Sequence, residues 1–268
     1  MDKIIGFIGA GNMGGAIIGG IVRSSLVPAT SILASDKGME GLNKLKDSYG
    51  INVTTDNIKV ASESDILFLS VKPNIYGLVI EEIKNHIKSE AVIVTIAAGQ
   101  SIEAVKRLFG RAVKLVRTMP NTPALVGEGM SALCPNSLVS NEELMEVQQI
   151  FNSFGKAEVV GEYLMDAVIG VSGSSPAYVF MFIEAMADAA VRGGMPRAQA
   201  YKFAAQSVLG AAKMVLETGR HPGELKDMVT SPAGTTIEAV AELEKRGMRS
   251  AVISAIEVCI ERSKNMSK

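Results

Sequence analysis

The feature that most constrains this chain is its opening. An apolar run, Ile4–Ile8, meets Gly9-x-Gly11-x-x-Gly14, and a helix-like segment, Gly15–Arg23, follows at once. Glycines at that spacing between a strand and a helix have separate physical uses. The first turns the chain sharply. The second leaves the backbone bare, so that a pyrophosphate can approach it. The third lets the helix lie close to the strand. The helix N-terminus then offers free N–H groups and the positive end of its dipole to phosphates. A plain strand-to-helix turn would not require all three spacings together with both flanks.

The rest of the first half repeats the strand–helix alternation. Apolar runs recur at Ser31–Ser35, Ile66–Val71, Ala91–Ala97 and Val113–Thr118, with weaker ones at Met130–Cys134 and Ala157–Val160. Amphipathic stretches lie between several of them: Met39–Tyr49, Gly77–Ile87 and Ile102–Phe109. Such alternation predicts an α/β domain with a doubly wound parallel sheet. A helix over Glu142–Phe154 is expected to stop at Gly155 as its C′ glycine.

Past Gly161 convincing strands cease, which sets the expected boundary: a dinucleotide-binding domain over 1–161 and an all-α domain over 162–268. Ser174-Ser175-Pro176 reads as a helix start, a capping hydroxyl followed by a first-turn proline. Further helices are expected at about Arg197 to Thr218, Pro222–Val229, Thr235 to Gly247 and Arg249 to Lys264. The segments Ala177–Val191 and Ala198–Leu216 are apolar nearly all round, so they must be buried on most sides. A helical half this small has trouble doing that alone, and a second copy of the chain is the expected cover.

The chain has 268 residues, 47% apolar and 21% charged, which suits globular cores rather than disorder. The net charge of −1 supplies no basic field for nucleic acid or anionic lipid. With no Trp, base-stacking platforms are not expected either. Cys134 and Cys259 lie far apart and fit a reduced, cytoplasmic protein. No basic-then-apolar leader and no apolar stretch long enough to span a bilayer is seen, so no membrane partner is expected.

Candidate chemistry sits at the strand ends. Ser35-Asp36-Lys37 closes the second run, where an adenosine ribose would lie. Asp36 favours NAD and Ser35 with Lys37 favours NADP, and the sequence leaves both open. Lys72, ahead of Pro73, faces either cofactor or solvent. Ala97-Ala98-Gly99 is a small-residue rim, and Met119-Pro120-Asn121-Thr122-Pro123 is a loop stiffened by two prolines. In the helical half, Thr230-Ser231-Pro232-Ala233-Gly234-Thr235-Thr236 gathers four hydroxyls at a helix N-terminus, a nest sized for a carboxylate. His86 and His221 occupy ordinary helix-end positions. No Ser/His/Asp set or metal-ligand spacing appears. Reduction of an already protonated C=N bond needs no proton acceptor, so a cofactor and a carboxylate clamp suffice for it.

These residues resemble the pyrroline-5-carboxylate reductase family over the whole length. The blocks that carry the resemblance are 6–14, Ser70-Val71-Lys72-Pro73, Ala97-Ala98-Gly99, Met119–Pro123, Gly170–Tyr178, Gly210–Lys213, His221–Asp227 and Val229–Ile237. The resemblance implies a Rossmann-type domain followed by a helical dimerisation domain. It also implies a homodimer, in some members a decamer, and the last step of proline biosynthesis with NADP, or alternatively NAD. By position, Gly9, Gly11, Asn12 and Met13 would line the pyrophosphate, with Ser35, Asp36 and Asn57 near the adenosine. Ser70, Val71, Lys72, Pro73, Ala97 and Ala98 would reach the nicotinamide half. Ser231, Gly234, Thr235 and Thr236 would hold the substrate, with Thr236 at its ring nitrogen and Glu162 and Met228 nearby. Two positions depart from the family: Ala233 replaces a usual glycine, and Asp36 replaces a hydroxyl found in some members.

Two other readings are weaker. A β-hydroxyacid dehydrogenase shares the N-terminal fingerprint, yet it would need a lysine where Gly170–Tyr178 has none. A nucleotide sensor without turnover would have no use for a carboxylate nest.

Overall fold

The structure, a computed structural model, describes residues 1–266. Two compact units divide the chain: residues 1–174 with the segment from Cys259 onward, and Ser175–Val258.

In the first unit, β1 (Ile5–Ile8) leads into α1 (Asn12–Arg23), then β2 (Ile32–Ser35), α2 (Met39–Tyr49) and β3 (Asn52–Thr54). The chain returns through α3 (Asn57–Glu63) to β4 (Ile66–Leu69), α4 (Tyr76–Ile83), β5 (Val92–Thr95), α5 (Ile102–Phe109) and β6 (Lys114–Met119). Next come β7 (Gly129–Pro135), α6 (Asn141–Asn152) and β8 (Gly155–Val159). The strand order is β3-β2-β1-β4-β5-β6-β7-β8, so the winding reverses between β1 and β4. That reversal leaves a crevice outside the carboxyl ends of the strands.

Alternate side chains feed the layers on the two faces. Ile5, Phe7, Ile66 and Phe68 join α1 and α6 on one side; Ile8, Leu67 and Leu69 join α3, α4 and α5 on the other. Phe7 and Phe68 stack at 4.7 Å, and Phe151 and Phe154 extend the aromatic row. Rings this well buried contribute about 1.5–3 kcal/mol each.

The structure corrects the expected elements in several places. β7 runs antiparallel to β6, so the sheet is mixed. The 120–128 connection carries only a short 3₁₀ turn, Thr122–Val126, and is too brief for a crossover helix. β3 was not expected: it is three residues long, at the sheet edge, with no apolar run to mark it. Gly155 is not a C′ glycine. It opens β8, where any side chain would collide with the Gly129 carbonyl.

Ser174 does not start a helix. Helical structure begins with a turn at Glu162–Leu164 and continues through α7 (Met165–Val168) and a π-turn, Ile169–Gly173, into α8 (Ser175–Arg192). The Ser174 N–H is already bonded to Ile169 O at 2.8 Å. Joined in this way, Glu162–Arg192 is long and apolar enough, by length and composition, to cross a bilayer, contrary to expectation.

The second unit holds α8, α9 (Arg197–Thr218), α10 (Pro222–Met228), α11 (Thr235–Lys245) and the start of α12 (Met248–Met266). α8 and α9 pack on each other through small residues, Ala187, Ala200 and Ala204, which are buried. Their large apolar side chains stay outside: Phe180 is 64% exposed, Phe203 65% and Leu216 82%. Faces that the sequence says must be covered are open in one chain.

Candidate active site

The glycine loop is built from three different constraints. Gly9 has φ +100°, a region that favours glycine, and a Cβ there would lie 2.6 Å from Ser70 O. Its N–H donates to Ser35 O at 2.8 Å, and the Ser70 hydroxyl donates to its carbonyl at 2.6 Å. A Cβ on Gly14 would meet that same Gly9 carbonyl, so the third glycine is needed for close helix–strand approach. In front of Gly11 there is open space. Gly11 is also the N-cap of α1 and brings no side-chain cap, which leaves first-turn N–H groups for a ligand.

These residues open onto a cleft of about 780 Å³. Gly9, Gly11, Asn12 and Met13 form one wall, and Asp36 with Asn57 closes one end. Ser70, Val71, Lys72 and Pro73 run along the middle, and Ala97 with Ala98 reaches the other end. Among the described residues neither Lys37 nor Lys72 has a carboxylate partner, and both line the cleft. They leave two cations beside the bare backbone, a setting that suits a phosphorylated dinucleotide.

Two expected site residues lie off the cleft wall, and a third is on it with its carboxylate already engaged by main chain. Ser35 is off the wall and fully buried; its hydroxyl donates to Asn57 Oδ1 at 2.8 Å and so sets the direction of that side chain. Asp36 is on the wall, but its carboxylate accepts the Ala10 N–H at 2.8 Å and the Lys37 N–H at 2.7 Å. Glu162 does not line the cleft. Its Oε1 accepts from Arg117 Nη1 at 2.9 Å and from the Ile102 N–H at 2.8 Å.

Several cleft residues were not among the expected contacts. Met119, Pro120, Asn121 and Thr122 form the wall beyond β6, with Gly173 of the π-turn. The Met-Pro-Asn-Thr-Pro stiffness was the signal for the first four. Asn121 donates to Ser172 O at 3.0 Å and accepts the Met130 N–H at 2.8 Å, which closes the loop on both sides. Nothing local in the sequence pointed to Gly173.

The second unit carries the hydroxyl-rich corner. Gly234 is the N-cap of α11 and no side chain caps that helix. Thr235 is exposed, and Thr236 is half-buried on the first turn. Thr230 does not join them: its hydroxyl donates back to Lys226 O and Asp227 O at the end of α10. The Gly234 N–H bonds Ser231 O at 3.1 Å, which draws Ser231 beside the helix start. Ala233 adopts φ +55°, a glycine conformation held by a residue with a side chain. Met228 is 59% exposed and receives Arg220 Nη1 at its sulfur. His221 caps α10 by accepting the Gly223 N–H, the ordinary role expected of it. Among the described residues no acidic, His or Cys cluster could hold a metal ion.

The chain is similar to known proteins along its whole length. A family model described as pyrroline-5-carboxylate reductase dimerisation matches residues 162–266, and one described as NADP oxidoreductase coenzyme F420-dependent matches residues 4–99. The pyrroline-5-carboxylate reductase of Escherichia coli (strain K12) is 54% identical over 268 residues, covering 100% of both chains. The chain belongs to the pyrroline-5-carboxylate reductase family.

The solved reductase of Coxiella burnetii superposes with a TM-score of 0.94 at 32% identity, covering 100% of both chains. That of Plasmodium falciparum, solved with NADP bound, gives 0.90 at 32% identity over 100% of this chain and 99% of its own. The dimerisation match spans the helices whose apolar faces are open, so this reductase forms homo-oligomers.

Proposed function

We propose that this reductase converts (S)-1-pyrroline-5-carboxylate to L-proline, using NADPH, with NADH as the alternative. The observation that carries the reading is the placement of two of the chain's helix N-termini that lack side-chain caps, one at the glycine loop and one in the hydroxyl-rich corner. One opens on the cleft at Gly11, and the other begins at Gly234 beneath Thr235 and Thr236. Each is suited to an anion, a pyrophosphate in the first case and a carboxylate in the second.

Gly9, Gly11, Asn12 and Met13 hold the pyrophosphate; Asp36 and Asn57, oriented by Ser35, face the adenosine. Lys37 and Lys72 balance phosphate charge. Ser70, Val71, Pro73, Ala97 and Ala98 shape the nicotinamide half. When bound, the reduced nicotinamide supplies the hydride, which adds to C5 of the protonated C=N bond.

Ser231 and Thr235, with the first N–H groups of α11, bind the substrate carboxylate, and Gly234 keeps the approach open. Thr236 Oγ accepts the N–H of the ring nitrogen and orients it. Met228 covers apolar ring carbon. The nitrogen already carries its proton, so the product amine forms without an acid or base from the protein. That matches a corner built only of hydroxyls and backbone.

Residues 162–268 serve as the dimerisation half. The dimer is the assembling unit, a decamer its larger form, and the cytoplasm its compartment. Loss of reduced-nicotinamide absorbance with pyrroline-5-carboxylate, and none with a 2-keto acid, tests the activity. Turnover of the keto acid alone overturns it. Rates with NADPH and NADH at equal low concentration test the cofactor, and light scattering tests the assembly.

A further inference from the structure

Arg117 is a cation that is only 7% exposed, and it sits on β6 opposite Thr95 of β5 and Cys134 of β7. Cys134 belongs to an apolar cluster with Ala132 and Met165, against which Ile102 and Met119 pack. An arginine in such a place needs a fixed carboxylate, and Glu162 supplies it at 2.9 Å. The same oxygen accepts the Ile102 N–H, where α5 begins.

One carboxylate therefore ties together three segments that continue into the cleft wall. β6 runs from Arg117 into Met119–Thr122. The stretch before Ile102 carries Ala97 and Ala98. The helix after Glu162 leads to Gly173. These segments lie beyond β4, on the side of the reversal away from Asp36, where the nicotinamide half belongs. The path from Glu162 to Gly173 passes through a π-turn, a geometry that recurs at functional sites and is poorly stable by itself. It is held at both ends, by Glu162 on Arg117 and by Asn121 on Ser172. An apolar pair would fill the same space. Only a directional ion pair also sets the register of the three segments.

We propose that Arg117 and Glu162 are positioning residues for the reductase, fixing the three wall segments around the nicotinamide end without touching either ligand. This rests on the reductase reading, which wild-type turnover, measured first, tests separately.

The experiment compares Glu162→Gln and the double variant Arg117→Met/Glu162→Leu in the full-length enzyme. NADPH affinity is read by fluorescence titration, beside kcat, KM and the melting temperature. Misplaced walls should lower kcat roughly tenfold to a hundredfold in both variants, while NADPH affinity changes no more than about threefold. The double variant removes the buried Arg117 charge together with its partly exposed partner, so its melting temperature should return to that of the wild type or above. A double variant that regains both stability and wild-type kcat overturns the proposal, as does a loss confined to NADPH affinity. If Glu162→Gln does not fold, the double variant decides on the same readouts. If neither folds, the pair is a folding requirement only and the proposal falls.

Discussion

The Asp36 carboxylate accepts the backbone N–H of Ala10 at 2.8 Å, joining the end of β2 to the middle of the glycine loop. An acid at this strand end is the usual partner of a ribose hydroxyl. Here its oxygens already serve two main-chain donors, Ala10 and Lys37, and the Lys37 ammonium on the cleft wall has no carboxylate partner among the described residues.

Asp36→Asn should therefore weaken NADPH and NADH alike. A charge-assisted bond to a backbone N–H contributes about 1.5–3 kcal/mol, so each affinity should fall roughly tenfold or more. Titration of both cofactors checks this. The ratio of the two affinities should move less than about threefold. A large swing towards NADPH would mean that the carboxylate reads the ribose directly.

Thr236→Ala should lower kcat/KM by about tenfold to a hundredfold, the contribution of one hydrogen bond to a charged partner. NADPH affinity should be unchanged, because Thr236 belongs to the substrate corner. Thr236→Ser keeps the hydroxyl and should retain most activity. Steady-state kinetics with near-normal values for Thr236→Ala would remove this residue from the site.

Acid should destabilise the first unit through two carboxylates. Burial pushes Asp65 up, but the Lys88 ammonium and the Ile4 N–H outweigh it and hold the group below its ordinary 3.8. Burial likewise pushes Glu143 up, and Lys114 with the Ser140 N–H brings it below 4.5. Both are lower folded than unfolded, so their stabilisation is complete at neutral pH. It is lost as pH falls below the unfolded values and through the folded ones. Melting temperatures measured from about pH 7 down to about pH 3 should drop steeply in the last part of that range. Asp65→Asn with Glu143→Gln should lower the neutral value and flatten the fall.

Ala233→Gly should raise the melting temperature. At φ +55° a side chain is strained, and relief of about 0.5–1 kcal/mol exceeds the entropy glycine adds to the unfolded chain. For a chain of this size that is a gain of roughly 1–4 °C by scanning calorimetry. A lower melting temperature would mean that the alanine methyl makes a contact worth more than the strain.

Much of the fold was legible because its signals are local. The helices Met39–Tyr49, Ile102–Phe109 and Arg197–Thr218 have the bounds expected of them, and each ends at a glycine in the left-handed region: Gly50, Gly110 and Gly219. β3 was hidden because three residues at a sheet edge make no periodic pattern. The helix start at Ser174 was misread because hydroxyl-then-proline looks the same at a free N-terminus and where a π-turn runs straight on into a helix. The cleft's glycine wall was legible from spacing. Gly173, the partners of Asn121 and the burial of Ser35 were not, because they depend on what other segments place against them.

By itself the sequence determined the stereochemistry of short stretches: where the chain must bend without a side chain, where helices stop, and which faces are apolar. Tertiary structure decided the partners. Asp36 meets Ala10, Ser35 turns inward to Asn57, and Glu162 reaches back to Ile102 and Arg117. The physical reason is directional. Residue type says that a carboxylate or hydroxyl can accept or donate. Which group lies within 3 Å along its lone pair or O–H is set only when the sheet brings distant segments together.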